Sequence, residues 1–202
     1  MRDPEFLPVM ESFYTIQGEG HYSGTPAYFV RLGGCDVGCV WCDVKESWDA
    51  SQFDWVHVNK IVDEAKSSGA EVVVITGGEP FIYDLSGLTQ TLKANDLQTN
   101  VETSGAYPIS GEWDWVCFSP KKFMDPQEQS YEKADELKVV VYHKSDLEWA
   151  TGHAQKMKLG SKLYLQPEWS KEKEMTPLIV DFIKKHPKWK ISLQTHKYMN
   201  VP

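Results

Sequence analysis

The chain lacks any apolar run approaching the roughly 18–20 residues that span a bilayer, and no charged-then-apolar leader opens it. It is therefore expected neither to cross a membrane nor to be exported. It also lacks a basic excess. Against 29 Asp and Glu stand 21 Lys and Arg, a formal net charge of −8, which argues against a nucleic-acid backbone or an anionic membrane surface as partner. A small-molecule ligand is expected instead. No Gly/Ser/Pro-rich linker, internal repeat or block of like charge divides the 202 residues, so one domain over residues 1–202 is expected. Residues 1–6 read as well as a cloning remnant as native sequence. Cysteine is scarce, four in all, and three of these fall within residues 35–42, which points to a reduced compartment and a metal rather than disulfides. The cytoplasm is the expected location. Tryptophan alone is abundant, at eight, and reads as core and lid aromatics, not as a stacking platform for nucleic acid.

Short β-branched runs alternate with segments of helical period. Residues 27–32, 71–75, 99–103, 115–118, 137–142, 163–166 and 190–194 read as strands. Val58, Ile61, Val62 and Ala65 recur at helical spacing, and similar patterns occupy residues 85–94, 146–157 and 176–185. Repeated strand–helix alternation implies parallel pairing with right-handed crossovers, hence an open α/β barrel or a doubly wound sheet. Six of the strands run into polar motifs: Gly33-Gly34-Cys35, Thr76-Gly77-Gly78-Glu79-Pro80, Glu102-Thr103-Ser104-Gly105, Ser119-Pro120-Lys121, Gln166-Pro167-Glu168 and Gln194-Thr195-His196-Lys197. A doubly wound sheet concentrates such chemistry at one switch point, whereas a barrel spreads it around the rim at its strand C-termini. The expected fold class is α/β, an incomplete (trimmed) TIM-like α/β barrel.

Cys35, Cys39 and Cys42 read Cys-x3-Cys-x2-Cys, with no fourth cysteine or histidine beside them. A structural zinc closes its tetrahedron with four ligands, whereas three thiolates on a cubane iron–sulfur cluster leave one iron open to a small molecule. A zinc knuckle completed by the distant His21 or His57 is the alternative. Glycines 33, 34 and 38 let the loop wrap a cluster. Cys117, between Val116 and Phe118, reads as a small buried hydrophobe. Gly77-Gly78-Glu79-Pro80 lets a backbone approach a ligand while the Glu79 carboxylate receives a cationic group.

The cysteine spacing is the signature of the radical S-adenosylmethionine (SAM) enzymes, and the Gly-Gly-Glu-Pro run is similar to their GGEP element. Phe13-Tyr14-Thr15-Ile16-Gln17-Gly18-Glu19-Gly20 and Tyr28-Phe29-Val30-Arg31-Leu32-Gly33-Gly34-Cys35 narrow the likeness. Over nearly its whole length the chain resembles the 7-carboxy-7-deazaguanine synthase family of queuosine and deazapurine biosynthesis. That resemblance implies a fold of the radical SAM type and a lyase that converts 6-carboxy-5,6,7,8-tetrahydropterin to 7-carboxy-7-deazaguanine with loss of ammonia. It implies a [4Fe–4S] cluster on Cys35, Cys39 and Cys42. It implies SAM held by Gly78, Ser119, Pro120 and Lys121 and by Gln166, Pro167, Glu168 and Trp169, with Glu79 and Ser104 assisting. Ile16, Gln17, Gly18, Arg31, Thr76 and the terminal carboxylate of Pro202 would bind the pterin. A homodimer and an electron donor such as flavodoxin are the implied partners. A glycyl-radical-enzyme activase shares the cysteine spacing, but the Gln17-Gly18-Glu19-Gly20 and Gln194-Thr195-His196-Lys197 motifs argue against it. One departure stands out: where the family carries Thr or Ser to help bind magnesium, this chain has Val44, which offers no ligand atom. Magnesium dependence is expected to be weakened.

Overall fold

A computed structural model describes residues 4–202. Its strands are β1 (Phe6–Ile16), β2 (Pro26–Leu32), β3 (Trp55–His57), β4 (Val72–Gly77), β5 (Gln98–Thr103), β6 (Trp115–Phe118), β7 (Glu136–Val141), β8 (Lys162–Pro167) and β9 (Trp189–Ile191). Its α-helices are α1 (Val58–Ser67), α2 (Ser86–Lys93), α3 (Glu128–Lys133), α4 (Asp146–Ala154), α5 (Glu172–Lys185) and α6 (Thr195–Met199). All the strands join one sheet in the order β3-β1-β2-β4-β5-β6-β7-β8-β9. β1 runs antiparallel to β2 and β3, and every pairing from β2 to β9 is parallel. From β2 onward the spatial order follows the chain without reversal. That is the winding of a barrel, not of a doubly wound sheet, and the sheet stays open.

Period-two alternation sorts the strand residues onto two faces. Val73 and Ile75, Val101, Leu137, Val139 and Val141, and Leu165 belong to the main core, together with Leu88, Leu92, Ala150, Met175 and Ile179 from the helices. α1 turns Val58, Ile61, Val62 and Ala65 inward, the four residues whose spacing predicts it. A ten-residue helix is marginal by itself, and burying one such aliphatic side chain contributes about 1.5–3 kcal/mol, so this face holds the helix in place. The opposite, inner face carries Ala27, Phe29, Val72 and Val74 packed with Phe13. Further round, that inner face turns polar.

The open seam is bridged by the turn between β1 and β2. Gly18 O accepts from Thr195 N at 3.0 Å and from Thr195 Oγ1 at 2.9 Å, and Gly20 N donates to Ser192 Oγ at 2.9 Å. Any side chain at residue 18 would collide, because a Cβ there lies 2.1 Å from Nδ1 of His196.

Several elements differ from expectation. β1, β3, α3 and α6 carry no clear hydrophobic period. Phe6 opens β1 opposite His57, and the Glu5 carbonyl accepts from Val58 N at 2.9 Å, so residues 5 and 6 take part in the fold. β9 ends at Ile191, short of residue 194; Ser192 N still donates to Leu165 O at 2.9 Å, and its hydroxyl donates to Gln166 Oε1 at 2.7 Å. α4 stops at Ala154, three residues early. α5 starts at Glu172, where two glutamates in the first turn suit the positive end of the helix dipole.

Candidate active site

One cavity of about 260 Å3 opens among the loops that follow the parallel strands. Cys35, Cys39 and Cys42 line it from the loop after β2. Backbone bonds fix that loop: Gly34 N donates to Ser47 O, Cys35 N to Trp48 O and Cys42 N to Cys39 O, at 2.6, 3.1 and 3.1 Å. Val37, Cys39 and Ala106 pack together, flanked by Tyr107 and Met124, and the Tyr107 hydroxyl donates to the Asp36 carboxylate. All four cysteines are free thiols. Burial pushes Cys39 up to about 11 and Cys35 upward, so both stay protonated until a metal displaces the proton.

The donor set fits a cluster and not zinc. Among the described residues no three His, Cys, Asp or Glu side chains gather tightly enough to chelate one ion. A cubane spreads its thiolates over different irons and needs no such convergence. His21 stacks on Trp115 with centroids 4.5 Å apart, and His57 caps α1 by accepting from Asn59 N, so neither histidine is free to complete a zinc tetrahedron. Cys117 is buried on β6 with Glu136 Oε1 3.7 Å away and takes no part in the cavity.

The Gly77-Gly78-Glu79 backbone is laced to the cysteine loop. Gly78 N donates to Leu32 O and Glu79 N to Gly34 O, each at 2.9 Å. A Cβ on Gly78 would lie 2.1 Å from the Gly34 carbonyl oxygen, and only glycine permits that approach. Glu79 lines the cavity with its carboxylate already hydrogen-bonded. Its Oε1 accepts from Thr103 Oγ1 at 2.6 Å and Phe81 N at 3.2 Å, and its Oε2 from Ser104 N at 2.8 Å and Ser104 Oγ at 2.5 Å. Four donors reach the carboxylate, which is 1 % exposed, so it clamps two loops together at the edge of the cavity.

Ser104, Ser119, Lys121, Gln166, Glu168 and Trp169 also line the cavity. Pro120 and Pro167 do not; both are buried beside residues that do. Lys121 Nζ donates to Ser119 O and Oγ, each at 2.6 Å, and sits 5.8 Å from the Trp41 ring centroid. Burial lowers its pKa. Its neighbour Lys122 turns away to Asp146.

Ile16, Gln17, Gly18, Arg31, Thr76 and Pro202 line the same space. Arg31 Nε is held by Glu11 Oε1 at 2.7 Å, and the Pro202 carbonyl accepts from Thr15 Oγ1 at 3.3 Å. Three further residues, given no role by the sequence reading, line the cavity: Glu19 and Glu102, which lie within quoted motifs, and Lys138. Lys138 Nζ lies 2.5 Å from Glu19 Oε2 and 3.1 Å from Glu102 Oε2. Gln17 Nε2 donates to Glu102 Oε1 at 3.0 Å, and Gln194 Nε2 to Glu19 Oε1 at 2.9 Å. The available signal was parity: Leu137, Val139 and Val141 face the helices, which leaves Lys138 facing inward from an apolar strand.

The Radical SAM superfamily matches residues 29–142, more than half of the chain. A 7-carboxy-7-deazaguanine synthase of Flavobacterium psychrophilum is 56% identical over 198 residues, covering 98% of this chain and 94% of that one. The synthase of the same name from Escherichia coli K12 is 35% identical, with 96% and 98% covered. The crystal structure of QueE from Escherichia coli superposes with a TM-score of 0.84 at 32% identity, covering 93% of each chain. With cysteines, glycines and tail residues arrayed round one cavity in an open parallel barrel, the chain belongs to the radical SAM superfamily and, within it, to the 7-carboxy-7-deazaguanine synthase family.

Proposed function

We propose that the chain converts 6-carboxy-5,6,7,8-tetrahydropterin to 7-carboxy-7-deazaguanine with loss of ammonia, as a radical SAM lyase in queuosine biosynthesis. One observation carries the reading: the three cluster cysteines, the glycines of the SAM loop and the pterin-side residues Gln17, Arg31, Thr76 and Pro202 all line a single cavity. Cys35, Cys39 and Cys42 would hold a [4Fe–4S] cluster, and Gly78, Ser119, Lys121 and Gln166 to Trp169 would hold SAM. When bound, this pair supplies one-electron reductive cleavage of SAM to a carbon radical strong enough to take hydrogen from the pterin.

The chain's own part is placement and protection. Its loops are rigidly joined, so cofactor and substrate meet in a fixed geometry, which is worth several kcal/mol relative to free encounter. Phe13, Phe29 and Val140 give the cavity an apolar lining that keeps water from the reacting atoms. Gln17, Glu19 and Glu102 put acceptors on its floor, complementary to the N–H donors of an aminopyrimidinone edge. Arg31 supplies a cation for the pterin carboxylate.

Magnesium finds no comparable fit. Val44 has no donor atom, and Asp43 faces Lys197 Nζ at 3.4 Å, so no step is assigned to a metal ion there. The proposal extends to one domain over the whole chain, a homodimer, a flavodoxin-type electron donor and a reducing cytoplasm, in keeping with four free thiols. No described helix is long and apolar enough to cross a membrane. Anaerobic incubation of reconstituted protein with the carboxytetrahydropterin, SAM and a reductant should yield 7-carboxy-7-deazaguanine. SAM cleavage that leaves the pterin unconsumed would sink the reading.

A further inference from the structure

We propose that Lys138 is the positioning residue of the cavity floor, an internal counter-ion that keeps Glu19 and Glu102 ionised together so that both accept hydrogen bonds from the substrate. Lys138 is 3 % exposed, on the inward side of β7. Its ammonium bridges a carboxylate from the turn after β1 and one from β5, at 2.5 and 3.1 Å. Each acid is also held by an amide, Glu19 by Gln194 and Glu102 by Gln17. These are the turn and the post-β9 segment that bridge the seam, so one ammonium fixes the floor and the closure of the barrel at once. Two carboxylates that share one cation, with both facing a ligand cavity, cannot both stay charged once the cation is removed, because like charges so close in a poorly hydrated site force one to take a proton.

The other ionisable groups do not replace it. Cys117 on β6, Glu136 on β7 itself and Tyr164 on β8 face the same interior, and none of them supplies positive charge there at neutral pH. Lys121 is bonded to Ser119, and burial keeps His196 below its usual pKa. Burial would raise Glu19, but Lys138 outweighs it by charge and hydrogen bond and holds that carboxyl at about 2. Burial likewise works against the Lys138 ammonium, and Glu102 and Glu19 overcome it to lift its pKa well above the ordinary value.

The test uses Lys138→Met in the full-length, cluster-loaded protein, and has one arm without substrate. In the native protein the folded carboxyl of Glu19 lies below its unfolded value, so its stabilisation is present above about pH 4.5 and is lost as pH falls toward about 2. In the variant, a further folded carboxyl lies above its unfolded value, beyond Glu136, which burial already raises in the native protein, so Tm should fall more steeply than native as pH rises through roughly 5–7. The second arm rests on the pterin reading: calorimetric affinity for the carboxytetrahydropterin should be flat over roughly pH 6–8 in the native protein. In the variant it should drop by up to about tenfold per pH unit on acidification, because one proton must leave on binding. Superimposable native and variant profiles in the substrate-free arm overturn the proposal, whatever happens with pterin. A variant slope in Tm combined with no pterin binding by the native protein supports the counter-ion role and overturns the substrate reading alone. Should Lys138→Met fail to accumulate, Lys138→Met/Glu19→Gln, which removes one charge of each sign, is read instead. Recovery of folded, iron-bearing protein supports the proposal, and a double variant as unfolded as the single one overturns it.

Discussion

Glu79 donates its backbone N–H to the carbonyl of Gly34 at 2.9 Å, so the loop that would carry SAM and the loop that carries the cysteines are hydrogen-bonded neighbours. With the Glu79 side chain pinned by Thr103 and Ser104, three successive strand ends are locked into one rigid edge of the cavity. Distortion of any of them should be felt at the others.

Gly78→Ala is the direct probe of that edge. Its Cβ would meet backbone at 2.1 Å, and overpacking of this kind costs about 1–3 kcal/mol. The variant should melt lower and bind SAM weakly. Gly87→Ala, with nothing within 4 Å of the added carbon and a helical backbone, should instead gain about 0.5–1 kcal/mol. Thermal denaturation of the pair checks both signs; equal melting shifts would remove the steric explanation.

The cysteine assignment predicts a brown protein with nearly stoichiometric iron and sulfide after anaerobic reconstitution. Cys42→Ala should lose both the cluster and SAM cleavage. Cys117→Ser should retain them, because that thiol points at Glu136 inside the barrel. Stoichiometric zinc with no iron uptake would refute the assignment.

Residue 44 predicts the metal response. Val44 presents a methyl where the family resemblance implies a magnesium-binding hydroxyl, and the exchange hardly alters side-chain size, so any effect belongs to metal titration and not to folding. Turnover by the native protein should survive chelation, and Val44→Thr should gain a response to added magnesium. Native activity abolished by chelation, with no change on Val44→Thr, contradicts this.

The tail predicts an effect of extension. Pro202 reaches the cavity and its terminal oxygen is met by Thr15 Oγ1 at 3.3 Å. A short tag added after Pro202 moves the carboxylate away and crowds the pocket. Pterin affinity should fall while cluster content and uncoupled SAM cleavage persist. Unchanged pterin affinity in the tagged protein would make the tail a bystander.

Much of this was legible in the sequence, and the exceptions share a physical cause. α1 was readable residue by residue because its buried stripe is local. The cysteines were readable because their ligand chemistry is compressed into eight positions. β1 hid behind Pro8 and a shift of register between Val9 and Glu11, which break its alternation. Lys138 hid because its partners lie 119 and 36 positions away in the chain, and an inward-facing polar residue in a barrel contradicts the rule that strands bury apolar side chains. Glu79 was found, but its clamp on Thr103 and Ser104 was not, since motif spacing reveals a carboxylate and not the donors attached to it.

The bridging of the seam has a consequence for biosynthesis. Gly18 and Thr195 are 177 positions apart, so this contact closes nearly the whole chain into a loop, and contacts of such long range form late. A nascent polypeptide can lay down β1 through β8 in order as it leaves the ribosome, yet it lacks a wall of its reaction chamber until residues 194–202 emerge.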